Sequence, residues 1–291
     1  MLICPVCEEP LARTETGLRC RHGHQFDRAR EGYVHLVGSR HPGDSRQMLR
    51  ARRAFLARGH YHPLAELLHS LALAHFGVPL QAEMPPETVG KGAHSGPAAL
   101  GVLEVGCGEG YYIGNLQCAM ATALPSAPPC FGLDVSKDAV RLAARHYPGV
   151  KFVVADIKAR LPIASGSIGL LLDVFAPRNP VEFARIVAPG GLLLVAIPAA
   201  AHLTELRAAL PLLGIEPEKE RHVVEQLSPA FTLRDAYSLE HPMPLASADI
   251  VDLLAMTPSA RHLSAEAIDA AYALAPLAVT AAFRVLAFSR A

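Results

Sequence analysis

At Leu100 the run LGVLEV, apolar enough for a strand buried on both faces, passes without a break into GCGEGYY. A strand that ends directly in glycines must turn sharply, so this junction commits the chain to a strand–turn–helix unit. Gly106, Gly108 and Gly110 let backbone approach a ligand closely where the following helix opens. Dinucleotide enzymes use a similar turn, so the surrounding acids must decide between ligands. Glu104 stands in E-x-G-x-G-x-G, a position suited to a cationic amino group and hostile to a pyrophosphate. Asp134, in CFGLDVS, closes a second strand 28 residues beyond Gly106, where a carboxylate can accept from both ribose hydroxyls. Asp156 closes a third, KFVVADI, and is placed to accept from an adenine exocyclic amine. Three strand ends with one acid each describe a pocket for S-adenosylmethionine.

Further strands follow at 168–173, leading into VFAPRNP, and at 192–197, after Pro189-Gly190-Gly191. Helices over 139–147, 181–187 and 202–212 would cover both faces of a mainly parallel sheet. The apolar run 277–288 would pair antiparallel with 231–238, completing seven strands. The expected class is therefore α/β, a doubly wound, Rossmann-like methyltransferase fold. At 291 residues the chain has room for a second, smaller unit. With 51% hydrophobic and 19% charged residues it is neither disordered, collagen-like nor a coiled coil. No apolar run reaches the ~18 residues of a membrane span, and MLICPVCEEP lacks a basic segment ahead of an apolar one. A cytoplasmic protein without membrane contact is expected.

The amino terminus reads differently. Cys4 and Cys7 form a C-x-x-C turn, Cys20 follows after twelve residues, and CRHGHQFD brings His22 and His24. That is zinc-ribbon spacing, and four protein ligands leave no open position, so one structural Zn2+ is expected. Spacing favours His24 over His22 as the fourth ligand, because Gly23 permits the turn. Cys107, Cys118 and Cys130 read as reduced thiols. Although the net charge is zero, residues 1–60 carry eleven arginines against six acids, a basic module on a mildly acidic body. A helix begins near Arg46 behind an Asp44 or Ser45 cap and ends at Gly59; a second begins at Pro63 and runs to Gly77. Arg46, Arg50, Arg52, Arg53 and Arg58 would cover the polar face of the first. Beside a zinc hairpin bearing Arg13, Arg19, Arg21, Arg28 and Arg30, they read as phosphate contacts. The expected organisation is a zinc-ribbon RNA-binding domain over 1–37, an arginine-rich helical connector and linker over 38–99, and the methyltransferase domain over 100–291.

The order zinc module, QFDRAREGYVHL, PGDS, ARRAFLARGHY, LEVGCGEGYY, FGLDVSKDA, APGG and MTPSARH resembles the RlmA-type bacterial 23S rRNA (guanine-N1)-methyltransferases over nearly the whole chain. The zinc hairpin followed by EGYV and the ARRAFL-x-x-GHY segment are its specific parts. The resemblance implies methyl transfer from S-adenosylmethionine to N1 of a guanine in a domain II hairpin of 23S rRNA. It also implies a homodimer as a family expectation and, for some members, protection against macrolides. Cys4, Cys7, Cys20 and His24 match the family's zinc ligands; Tyr61, Tyr112, Ile113 and His202 match its contacts to the methyl donor.

Guanine N1 carries a proton that must leave at or after transfer, and Asp173, at the fourth strand end, is the expected acceptor. N1 lies on the pairing edge, so the base must be extruded or already unpaired. Two other readings compete. A small-molecule methyltransferase with a zinc lid would act without RNA, and a non-catalytic zinc-ribbon RNA binder would not bind the donor.

Overall fold

The computed structural model describes residues 1–36, 43–79, 100–210, 214, 216, 218–257, 272–274 and 276–290. Most of the expected 78–99 linker, residues 258–262 of MTPSARH and the 211–212 end of the expected 202–212 helix lie outside them.

The amino-terminal hairpins are β1 (Ala12–Arg13), β2 (Gly17–Arg19) and β3 (Gln25–Asp27), a small antiparallel sheet in that order. The next strand, β4 (Val34–His35), leaves this ribbon and pairs elsewhere. Helix α1 (Arg46–Ala57) is capped by the Ser45 hydroxyl, which accepts from the Met48 amide, and Gly59 leaves it with φ +84°. Helix α2 (His62–His75) follows with Pro63 in its first turn.

The body contributes β5 (Gly101–Val105), α3 (Tyr111–Ala123), β6 (Cys130–Asp134), α4 (Lys137–His146), β7 (Lys151–Val154), β8 (Ile168–Val174), α5 (Pro180–Ile186) and β9 (Val187–Pro198). It closes with α6 (Thr204–Ala209), α7 (Lys219–Leu227), β10 (Phe231–Leu245), α8 (Ser247–Met256) and β11 (Leu277–Arg290). The large sheet has the order β10-β11-β9-β8-β5-β6-β7-β4. It is parallel from β9 to β4 and antiparallel where β11 meets β9 and β10.

The sheet therefore holds eight strands where seven were expected, because β4 adds parallel to the edge strand β7. A two-residue strand gives too short a pattern to be seen in sequence. Its pairing also ties the ribbon to the body. The Ile3 amide donates to the Pro162 carbonyl at 3.0 Å, Arg145 pairs with Glu31 at 2.7 Å, and Arg160 pairs with Glu8 at 2.6 Å.

Strand alternation sorts the core into two faces. Val102 on β5 and Leu170, Leu172 and Val174 on β8 join the cluster that α1, α2, α3 and α8 cover. Leu103, Val105 and Leu171 point the other way, to a cluster closed by Phe183 and Leu227 with ribbon residues Leu2, Leu18 and Phe26. The ribbon thus shields apolar sheet surface as well as carrying its own cysteines. No helix among the described residues is long and apolar enough to cross a membrane.

Candidate active site and metal centre

Four ligand atoms converge in the ribbon. Those of Cys4, Cys7, Cys20 and His24 all lie within 4.8 Å of one another. Cys7 Sγ and Cys20 Sγ are 3.6 Å apart, and His24 Nδ1 lies 3.5 Å from Cys4 Sγ and 3.4 Å from Cys20 Sγ. A tetrahedral ion with Zn–S near ~2.3 Å and Zn–N near ~2.0 Å gives edges of about 3.5–3.8 Å, so the donor set and its spacing fit Zn2+. His22 is exposed and outside the group. The Val6 amide approaches Cys4 Sγ at 3.4 Å, the kind of backbone donor that offsets thiolate charge. All six cysteines are free of disulfides.

The second site is a cavity of about 770 Å3 at the carboxyl ends of the parallel strands, within the size range of small-molecule and cofactor sites. Its floor is the glycine turn. Gly106 has φ +64°, and a Cβ there would stand 2.6 Å from Ala176 Cβ, so only glycine allows the loops after β5 and β8 to meet. Gly108, with φ +53°, passes under Arg52, whose Nη1 would lie 3.2 Å from a Cβ.

Glu104 and Asp134 line this cavity. Glu104 Oε2 accepts from the Ile113 amide at 2.9 Å, and burial pushes its carboxyl well above the usual carboxylate range. Asp134 accepts from the Gly108 amide at 2.9 Å and the Ser136 amide at 2.7 Å, one on each oxygen, so both oxygens keep a lone pair for a ligand. Burial raises its pKa as well, opposed by those two amides. Two desolvated carboxyls facing one cavity are suited to a ligand that brings positive charge and hydroxyl donors.

Residues 2–41 match the zinc-ribbon family described as RlmA, N-terminal, and residues 102–191 match the Methyltransferase domain family. A Micromonospora griseorubida protein named for 23S rRNA (guanine-N1) methyl transfer is 38% identical over 98% of this chain and 95% of its own length. A Streptomyces fradiae protein, 23S rRNA (guanine(748)-N1)-methyltransferase, is 39% identical over 90% of this chain and 86% of its own. The chain belongs to the RlmA-type 23S rRNA (guanine-N1)-methyltransferase family. S-adenosylmethionine and a structural zinc are its cofactors, and the residues above fit both.

In this RlmA-type chain the remaining expected donor contacts separate into two sets. Tyr61, Tyr112 and His202 line the cavity. The Ala282 amide donates to His202 Nδ1 at 3.2 Å, and burial, with Arg207 and His241 adding, holds this imidazole's pKa down at about 4. The neutral ring therefore carries its proton on Nε2 and donates to Tyr61 Oη, 3.2 Å away. Tyr61 is left with a hydroxyl proton to give to a ligand. Tyr112 Oη is buried without a protein partner, an orphaned polar atom on the same wall. Ile113 and Asp156, by contrast, do not line the cavity among the described residues. Ile113 is fully buried, with its amide committed to Glu104. Asp156 lies beyond the end of β7 and accepts from the Lys158 amide at 2.9 Å.

Asp173 is fully buried and also absent from the lining. Its place on β8 next to Leu172 turns it to the sheet face opposite Glu104. Its Oδ1 accepts from the Ala176 amide at 3.3 Å, its Oδ2 has no partner, and burial pushes its pKa up to about 8.

The arginines of α1 correct the expectation of a free phosphate-binding face. Arg46 pairs with Asp138 at 2.9 Å, Arg53 reaches His146 Nδ1 at 2.6 Å, and Arg58 binds Asp249 and, at 2.6 Å, Asp252. Arg52 pairs with Asp44 at 2.6 Å, donates to the Met256 carbonyl at 3.2 Å, and lines the cavity. Helix α1 is thus a wall of the cavity at the strand ends. A signal was present: Arg52 stands four residues after Met48 and three before Phe55, inside the buried stripe of its helix. Arg50 on α1 and Arg13, Arg19, Arg28 and Arg30 on the ribbon are exposed. Phe175 also lines the cavity, and nothing in VFAPRNP singled it out.

Proposed function

We propose that this chain transfers the methyl group of S-adenosylmethionine to N1 of a guanine in a 23S rRNA hairpin. The observation that supports it most is the joining of two features in one body. A cation-seeking cavity at the strand ends shares its sheet with a four-ligand metal ribbon, in a chain similar over almost its whole length to guanine-N1 enzymes. When bound, S-adenosylmethionine supplies an electrophilic methyl carbon, and the protein's contribution is alignment and exclusion of water.

In this reading Glu104 holds the donor's ammonium, Asp134 accepts from its ribose hydroxyls, and Tyr61 donates to an acceptor on it through the proton that His202 leaves free. Asp156 would reach the adenine amine only by a rotation out of its turn with Lys158. Asp173 would accept the N1 proton only by turning out of its buried position, on the sheet face opposite Glu104, toward the cavity that it does not line. The exposed arginines of the ribbon, with Arg50 on the outer side of α1, grip the hairpin phosphates, while Arg52 and Leu56 of α1 face the donor side. A homodimer would let a second ribbon share that grip.

The test offers the zinc-loaded protein unmodified 23S rRNA, a domain II hairpin transcript and unrelated rRNA hairpins, with radiolabelled donor. Label entering 23S rRNA and the domain II hairpin alone supports the reading. Label entering none of the RNAs, with donor binding intact, contradicts it.

A further inference from the structure

Four large apolar side chains are exposed among the described residues, Val6, Phe175, Val181 and Tyr272, and of these Phe175 lines the donor cavity. It is 42% exposed although the chain turns there from β8, the centre of the core. Its backbone has φ +55°, a conformation that bulky L residues avoid and that persists only where the surroundings enforce it. The enforcement is visible on both sides. The Phe175 amide donates to the Ala196 carbonyl at 3.1 Å, and the next amide, that of Ala176, donates to Asp173. Tyr61, Phe283 and Tyr112 brace the ring, with centroids 6.3, 5.7 and 6.4 Å away. The adjoining Ala176 abuts Gly106, so the ring stands at the rim of the turn that carries the donor.

We propose that Phe175 is the aromatic platform on which the extruded purine stacks, setting its N1 edge against the methyl donor. This rests on the RNA guanine reading. A base taken out of its helix loses its stacking neighbours, and an aromatic plane replaces them whatever the base. The strained backbone turns the ring out of the core to the place where that replacement is needed.

The experiment compares full-length, zinc-loaded wild type with Phe175→Leu and Phe175→Tyr. It measures kcat and KM for 23S rRNA and calorimetric affinity for S-adenosylmethionine. Phe175→Leu is expected to lower kcat/KM for RNA by about 5- to 150-fold, the factor one base–aromatic stack is worth, with donor affinity within about twofold of wild type. Phe175→Tyr, which keeps the ring, is expected to recover most of the loss. A wild type that methylates RNA beside a Phe175→Leu variant of unchanged kcat/KM overturns the platform alone. A parallel loss of donor affinity overturns it too, by making the ring part of the donor wall. A wild type inert toward RNA overturns the guanine reading and the platform with it.

Discussion

Glu104 Oε2 lies 2.9 Å from the amide of Ile113, the third residue of α3, and so caps a helix whose own N-cap, Gly110, has no side chain to do it. The same carboxyl is 1% exposed and held well above the ordinary carboxylate range by burial. A cation arriving beside it favours the ionised form. Donor binding at a pH where this carboxyl still holds its proton should therefore release it. Calorimetry in buffers of different ionisation enthalpy measures that release, and Glu104→Gln, which retains an acceptor for the Ile113 amide, should abolish it while weakening the donor. Donor affinity unchanged in Glu104→Gln would remove Glu104 as the ammonium partner.

Arg52 provides a second test, because the sequence suggests an RNA contact and the structure a cavity wall. It is tied to Asp44 and the Met256 carbonyl and passes over Gly108. Replacing it by methionine keeps the stem packed and removes the charge. Donor affinity is expected to fall about 10-fold, the scale of one hydrogen bond to a charged group, with KM for RNA little changed. Binding curves for both substrates decide; a selective rise in the RNA KM would return Arg52 to the phosphates.

Loss of the metal should be felt beyond the ribbon. Cys7→Ser leaves three ligands, and β4 and the Ile3–Pro162 hydrogen bond link the ribbon to the sheet edge. Zinc stoichiometry is expected to drop below one per chain, thermal stability to fall, and RNA methylation to be lost before donor binding. Metal analysis with donor calorimetry on the same preparation checks this, and full zinc content in Cys7→Ser would contradict the ligand set.

For Asp173 the sign of the pH effect is fixed by its pKa, raised from 3.8 to about 8. The folded carboxyl keeps its proton to about pH 8, whereas the unfolded one releases it near 3.8. Its contribution to stability is thus complete below 3.8 and is lost as pH climbs from there to 8. Asp173→Asn, which stays neutral, should lose less Tm than wild type between pH 5 and 8. If the carboxylate accepts the N1 proton, wild-type turnover should also rise through about pH 8. The variant's turnover should then fall by about 10²–10⁴-fold with donor affinity kept. Equal losses in turnover and affinity would leave Asp173 a purely structural group.

What the sequence could reveal follows the range of each interaction. The metal cluster and the α1 cap are local patterns, so spacing brings out the Cys4, Cys7, Cys20 and His24 group and narrows the cap to Asp44 or Ser45, of which Ser45 is the one that caps. Glu104 and Asp134 were legible because strands end where hydrophobic runs end. Asp156 was read by the same rule; it lies two residues past β7, accepts from the Lys158 amide and stands outside the cavity lining. The partners of Arg46, Arg53 and Arg58 are 92 to 194 residues away, beyond any periodicity. Phe175 depends on a backbone angle that composition does not encode.

The central claim is that the cavity beside Glu104 and Asp134 serves guanine N1 in 23S rRNA. The most direct test is mass mapping of 23S rRNA treated with the purified, zinc-loaded protein and isotopically labelled donor. The account predicts one labelled residue, 1-methylguanine, in a domain II hairpin. Label at guanine N2 or N7, on another base, or only on small molecules would contradict it.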